Sequence, residues 1–574
     1  MRIKFLGPIE RVTGSCYWLQ DDNHTVQFLV DCGMVQDEPD ADEWNSGRAF
    51  PFEPAKLDFV LLTHCHIDHS GLLPLLVKKG FSGTVYCTKA TEELTRIALL
   101  DAARHSGHLY GKAEVDALRF HERGKGVFDV IHPLKHNLFF CMYRTSHVLG
   151  GVSIKVLWGP LDEGQKSIIF SGDLGENQEN MEHQPLLRHR MNDKYVADYA
   201  VVESTYGCRI RPPEEKCRER RLAQLSDTLE KAILERQGPL IIPAFAIDRT
   251  QALMFDIHEV IRCDPRFEDI PKYLHAGMAS KVNEVYAEHL PRKQETATGK
   301  LRHLWLNKRL FEWLGLDRND PLHEKAVEQY LQLIFGKSRP KLSSEEFHCL
   351  QELIPGARRG WTRVKPRATA PLDKPAIILT GGGMCEGGPV LEYLEQLLQR
   401  PEATLLLAGF VATSTLGGSL LRLSRIGLQD RVRLRDTLSW NTRDSSVILP
   451  ESNVLASIEC FRGYSGHADQ VGLVDWIYSE FEGQRHPVAG TIFITHGLEQ
   501  ARIELENAIT RRGKELETQG SAQQSSAPQV IRPGRDHPWY DLNRGEWLTD
   551  TVPDEITRLR LENEELRRSL AARE

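Results

Sequence analysis

Apolar positions along the chain fall into short runs separated by turn residues. MRIKFLG, GSCYWLQ and TVQFLVDCG are rich in β-branched and aromatic residues and are bounded by Gly and by Asp21-Asp22-Asn23, which predicts three short strands. The run LDFVLLT (57–63) is continuously apolar, as expected of a strand buried on both faces. Residues 91–117 carry Leu94, Ile97, Ala98, Leu100 and Leu109 among charged positions, a spacing that predicts a helix. Further strands are predicted at 127–132, 138–143, 151–158 and 167–171.

From about residue 206 the pattern changes. Residues 211–236 are charge-rich with helical periodicity, GPLIIPAFAI reads as a strand running into a turn, and RTQALMFDIHEVI as a helix. PAIILTGGGM and EATLLLAGFV repeat the strand-then-loop unit, with helical PVLEYLEQLLQ between them. Strand, Gly-rich loop, helix, strand is the grammar of a parallel α/β domain. TIFITHG then leads into a charged helix. Residues 516–553 read as a linker, clearest at TQGSAQQSSAPQ, whose composition predicts disorder. Beyond it, 554–574 place Ile556, Leu559, Leu566 and Leu570 on one stripe, the pattern of a coiled-coil-like helix through which two copies could pair.

Charge changes the picture little: 72 Lys and Arg against 80 Asp and Glu give −8 over 574 residues. That excludes a globally basic coat for nucleic acid but not a local basic groove. No apolar run is long enough to span a membrane. The eleven cysteines are scattered without a CxxC pair, which argues against a disulfide framework or zinc ribbon and for a reducing, cytoplasmic setting.

Histidine carries the chemistry. Thr63-His64-Cys65-His66-Ile67-Asp68-His69-Ser70-Gly71 packs three His and an Asp directly behind the apolar run. Alternate residues leaving a strand point the same way, so His64 and His66 can share one cation. Asp68 and His69, on the turn that follows, suit a second cation nearby. Imidazole and carboxylate without thiolate fit hydrolytic Zn²⁺ or Mn²⁺ rather than structural zinc, and Cys65 should point away. Further ligands are needed. His147, Asp173 and His496 each stand at the end of a strand-like run with Gly close behind. A basic stretch, GARRGWTRVKPR, carries Arg358, Arg359, Arg363 and Trp361 without an acid. Its cations would meet phosphates while Trp361 stacks on a base.

HxHxDHSG with the later His147, Asp173 and His496 resembles the metallo-β-lactamase superfamily. Glu203-Ser204-Thr205-Tyr206-Gly207, PAFA (243–246), Tyr464-Ser465-Gly466-His467-Ala468-Asp469 and Thr495-His496-Gly497 are similar to its β-CASP branch, the nucleases that include the mRNA 3′-end cleavage factor and bacterial relatives. The resemblance implies an α/β fold, an αββα sandwich from residues 1–205 and 456–515, with a parallel α/β domain of residues 206–455 inserted. It implies two zinc ions: one on His64, His66 and His147, the other on Asp68, His69 and His496, with Asp173 bridging and Asp31 orienting from behind. Asp68, Glu203 and His467 would be catalytic, and Arg249 and Ser465 would touch substrate. The implied activity is cleavage of single-stranded RNA within the strand or from its 5′ end. His496 favours RNA, because DNA-directed relatives tend to have an apolar residue there. A DNA nuclease of the same fold and a non-catalytic RNA-binding scaffold are the rivals. Matched RNA and DNA oligonucleotides separate the first, and stoichiometric metal the second.

Overall fold

The computed structural model describes residues 1–548 apart from 37–40, 49, 106–107, 122–127, 129, 161–163, 177–185, 187–195, 296–298, 337–341, 358–359, 410, 482–483, 519–526 and 536. The expected C-terminal helix at 554–574 lies outside the described residues, as do Arg358 and Arg359.

Three sheets organise the chain. The first has eight strands, running in space from Glu546–Trp547 through Tyr540–Asp541, Arg2–Leu6, Cys16–Gln20, Gln27–Cys32, Phe59–Leu61 and Thr84–Tyr86 to Phe120–His121. The second has seven, in the order Gln529–Ile531, Ala489–Thr495, Ala197–Glu203, Lys166–Phe170, Val152–Trp158, Leu138–Arg144 and His132–Pro133. Their inner faces meet through aromatic side chains: Phe5 lies 4.9 Å from Phe493 and Tyr17 5.3 Å from Phe170, ring centre to ring centre. Leu72, Leu76 and Leu99 cover the outer face of the first sheet. Leu473, Trp476, Leu505 and Ile509 cover that of the second. Helices outside and sheets inside give the αββα sandwich.

The third sheet is the insertion. Its six strands, Thr362–Arg363, Lys272–His275, Ala376–Gly381, Pro239–Ala244, Thr404–Ala408 and Ser457–Phe461, pair in parallel in that order. In such a sheet the loops leaving the strand C-termini gather at one edge, where ligands bind.

Several expectations are corrected. The helix expected over 91–117 is Lys89–His105 followed by Lys112–Ala117. Gly111 starts the second piece, its N–H donating to the Glu114 carboxylate at 2.8 Å. Ser457–Phe461 belongs to the insertion sheet, so the return to the sandwich falls after Phe461 rather than at 456. The expected linker over 516–553 contributes structure: Gln529–Ile531 pairs with Thr491–Phe493, and Tyr540–Asp541 with Arg2–Ile3. Gln529–Ile531 lies at the edge of its sheet and, among the described residues, pairs on one side only, so it demands little apolar sequence. Residues 294–374 supply Pro321–Phe335 and Ser344–Leu353. The first is tied to the insertion core where the Tyr330 hydroxyl donates to Glu259 at 2.6 Å.

Candidate metal centre and its comparison with known proteins

The site forms where strand ends of both sandwich sheets converge. Phe59–Leu61 runs into His64, and the short helix Ile67–Ser70 begins right after His66. Cys65 is buried in the core cluster rather than among the ligands, as the alternation predicted. Asp173 follows the strand Lys166–Phe170, Glu203 ends Ala197–Glu203, and His496 follows Ala489–Thr495.

Two ligand groups result. His64, His66, His147 and Asp173 bring donor atoms within 4.8 Å of one another, and so do Asp68, His69, Asp173 and His496. Asp173 divides its oxygens between them. Oδ2 lies 3.4 Å from His64 Nε2 and 3.5 Å from His147 Nε2. Oδ1 lies 3.2 Å from His69 Nε2 and 3.5 Å from His496 Nε2. Asp68 Oδ2 is 3.9 Å from His496 Nε2.

Outer contacts fix the rings. Asp31 accepts from the Thr63 N–H and hydroxyl, each at 2.8 Å, and its Oδ2 lies 2.8 Å from His69 Nδ1. Ser15 Oγ lies 2.8 Å from His496 Nδ1, and the Gly466 carbonyl 2.9 Å from His147 Nδ1. Such partners set the tautomer and leave the opposite nitrogen for a cation. Backbone strain gathers here too: Asp31 (φ 57°), Ser146 (φ 60°), Asp248 (φ 69°) and His496 (φ 49°) are all left-handed, a costly conformation for residues with side chains.

The donor set fits a cation. His64 Nε2, His69 Nε2 and Asp173 Oδ1 are buried without a hydrogen-bond partner, an expensive state unless something else satisfies them. Burial, then neighbouring imidazoles, hold His64 and His66 well below the usual imidazole pKa, and His147 likewise, so these rings are neutral donors. Burial works against the Asp173 charge, but His69, His496 and His64 outweigh it and keep the carboxylate ionised. Nitrogen and oxygen donors without thiolate suit Zn²⁺ or Mn²⁺.

Beside these groups stands a second pair. His467 Nδ1 is 3.3 Å from Glu203 Oε1, and its Nε2 is 4.0 Å from Asp173 Oδ2. Burial opposes its charge, yet Glu203 and then Asp173 raise its pKa to about 10. Glu203 is itself held by the Leu174 N–H at 2.7 Å and the Thr205 N–H at 3.1 Å. The His467 loop is clamped from two sides. The Ala468 N–H donates to the Leu174 carbonyl at 2.7 Å, and Arg211 Nη1 to the His467 carbonyl at 3.3 Å. Buried Asp469 accepts from Lys216 Nζ and the Arg211 N–H, each at 2.9 Å.

All seven expected ligands and both members of the His467–Glu203 pair therefore meet, with Asp31 behind them. Ser465 lies in the His467 loop, its hydroxyl donating to Tyr206 at 3.2 Å. Arg249 donates from Nη1 to the Ala408 carbonyl at 2.9 Å, while its Nε is buried without a partner. Trp361 packs against the core, and Arg363 pairs with Glu284 at 3.3 Å, so both have structural partners. Ser15, Arg211, Lys216 and Asp248 were not anticipated. Asp248 sits by Gly466, its carboxyl pushed up to about 6 by burial. No motif marks Ser15. Lys216 and Arg211 read as ordinary members of a charge-rich helical stretch.

A family model described as the metallo-beta-lactamase superfamily matches residues 9–202. That match coincides with the first part of the αββα sandwich and its edge-on ligand groups, so these residues form a metallo-beta-lactamase superfamily domain. A second model, the Beta-Casp domain, matches residues 250–420 within the insertion, so the chain carries both domains. A ribonuclease of Thermus thermophilus is 28% identical over 90% of this chain and 97% of its own length. Transcription termination factor FttA of Methanosarcina mazei is 24% identical over 90% of this chain and 69% of its own. An RNase J-like protein of Methanocaldococcus jannaschii is 26% identical over 73% and 80%.

Proposed function

We propose that the protein is a metal-dependent phosphodiesterase that hydrolyses single-stranded RNA, cutting within the strand and able to trim from a 5′ end. The observation that carries this is Asp173, whose two oxygens each face a separate set of imidazoles, with the His467–Glu203 pair alongside. His64, His66 and His147 would hold one zinc ion, Asp68, His69 and His496 the other, with Asp173 shared. Bound there, two cations would polarise a phosphoryl oxygen and make a water nucleophilic at neutral pH. The protein's own residues do the rest. Asp31 and Ser15 keep His69 and His496 oriented. His467, charged beside Glu203, holds a proton at Nε2 facing the site and gives it to the departing sugar oxygen, a transfer typically contributing about 10²–10⁴ in rate. Arg249, next in the chain to Asp248 and with a buried unpartnered Nε, would take a substrate phosphate. The RNA preference is supported by the names of the relatives, two of which are ribonucleases by description.

The test is incubation of purified protein with 5′-labelled single-stranded RNA and a matched DNA, with and without chelator, alongside His467→Ala. The expected result is RNA cleavage abolished by chelator and lost in the variant. Chelator-insensitive cleavage, or a fully active His467→Ala, contradicts the reading, and faster DNA cleavage replaces RNA as the substrate.

A further inference from the structure

The insertion sheet ends beside the metal centre, and one side chain at that edge has no structural account. Phe245 follows the strand Pro239–Ala244 and is 40% exposed. Among the described residues it is the one Phe, Tyr or Trp side chain that is exposed rather than buried or half-buried. An aromatic ring left in water on a fixed turn is unusual, since burying it would stabilise the fold.

Its backbone is held firmly. The Phe245 carbonyl accepts from the Thr250 N–H at 3.2 Å and the Thr250 hydroxyl at 2.7 Å. The ring lies against Gly383, in the Gly-rich loop after Ala376–Gly381. A Cβ there would come 3.1 Å and 3.2 Å from ring atoms of Phe245. Glycine thus leaves the ring room on one side, and two fifths of the residue stays open to solvent.

The same turn reaches the metal centre. Asp248 Oδ2 is 3.4 Å from where a Cβ on Gly466 would stand, and that point is 3.2 Å from the His147 imidazole. Phe245 is three residues earlier, a stretch of at most about 11 Å. Arg249, the residue after Asp248, donates to the Ala408 carbonyl and keeps its Nε buried without a partner, which leaves a cation next to the same turn. Aromatic rings interleaved with cations are how single strands are held, by base stacking and backbone contact together.

We propose that Phe245 is the stacking platform for an unpaired nucleobase flanking the scissile phosphate, with the Gly382–Gly383 turn forming the floor of that subsite. This rests on the single-strand nuclease reading above. Stacking is indifferent to base identity, because every base has a π-face, so the subsite selects unpaired over paired nucleic acid and not one sequence over another.

The experiment is cleavage kinetics on a single-stranded oligoribonucleotide and on versions carrying one abasic nucleotide, scanned across the cleavage site. Wild-type protein should show a single flanking position where the abasic residue lowers kcat/KM by about tenfold. Phe245→Leu should lower kcat/KM on the intact strand by about the same factor and lose the abasic penalty at that position. Phe245→Tyr should behave as wild type, and all three should bind equal metal. A Phe245→Leu variant as fast as wild type on intact RNA, or slower but with the abasic penalty kept, overturns the subsite and leaves the nuclease reading standing. Wild-type protein that cleaves no RNA overturns both.

Discussion

Ser15 Oγ lies 2.8 Å from Nδ1 of His496, a residue 481 positions further along the chain. One belongs to the first sandwich sheet's opening hairpin, the other to the end of a strand in the second sheet. The contact fixes which ring nitrogen His496 can offer to a cation. Ser15→Ala should weaken metal binding at the Asp68–His69–His496 group by about 10–100-fold. Ser15→Thr, which keeps the hydroxyl, should restore most of it. Competition with a chromogenic chelator measures the change.

The pairing of His467 with Glu203 separates proton transfer from metal binding. His467→Ala should lower kcat by about 10²–10⁴ with metal content unchanged. Glu203→Gln keeps the shape of the acceptor for the Leu174 N–H but removes the charge that raises the imidazole pKa. It should lower kcat in the same direction while leaving metal content intact. Metal analysis alongside steady-state kinetics checks both.

Much of this centre is legible in the sequence, for a physical reason. His64, His66, Asp68 and His69 are close in the chain, so strand alternation and one tight turn suffice to place them. His147, Asp173 and His496 announce themselves by standing where apolar runs end, because strand ends are where buried backbone gives way to loops. Ser15 could not be read this way, since only a contact across the sandwich gives it a role. The strand Gln529–Ile531 was hidden because it is three residues long and lies at the sheet edge, where its strand partner is Thr491–Phe493, too far away in the sequence to leave a local pattern. The packing of Trp361 on the core and the pairing of Arg363 with Glu284 are likewise contacts that only the fold brings together.

Lys216 and Asp469 are both buried and paired at 2.9 Å, behind the loop that carries His467. Lys216→Met removes one partner of a buried ion pair, which typically costs about 3–5 kcal/mol. Urea denaturation should show that loss, and any folded fraction should have a lower kcat with KM little changed.

His258 lies buried against Tyr330, with Nε2 unpartnered. Burial, and then the charge of Lys272, hold its pKa well below the ordinary value. Below about pH 6.5 the unfolded chain binds a proton at this position that the folded chain refuses, so stability falls as pH drops through that value. The effect is at most about 1.4 kcal/mol per pH unit. The stability gap between wild type and His258→Gln should therefore narrow by about 1 kcal/mol between pH 6.5 and 5.5. Denaturation curves at the two pH values, with chelator in every sample, measure it.

Crystals of the purified protein examined by anomalous diffraction at the zinc and manganese absorption edges give the most direct reading of the central claim. Two peaks are predicted, one between Asp173 and the His64–His66–His147 imidazoles and one between Asp173 and Asp68, His69 and His496, both weakened in Asp173→Asn. No peak in metal-soaked crystals, or a single peak with Asp173 not shared, would contradict it.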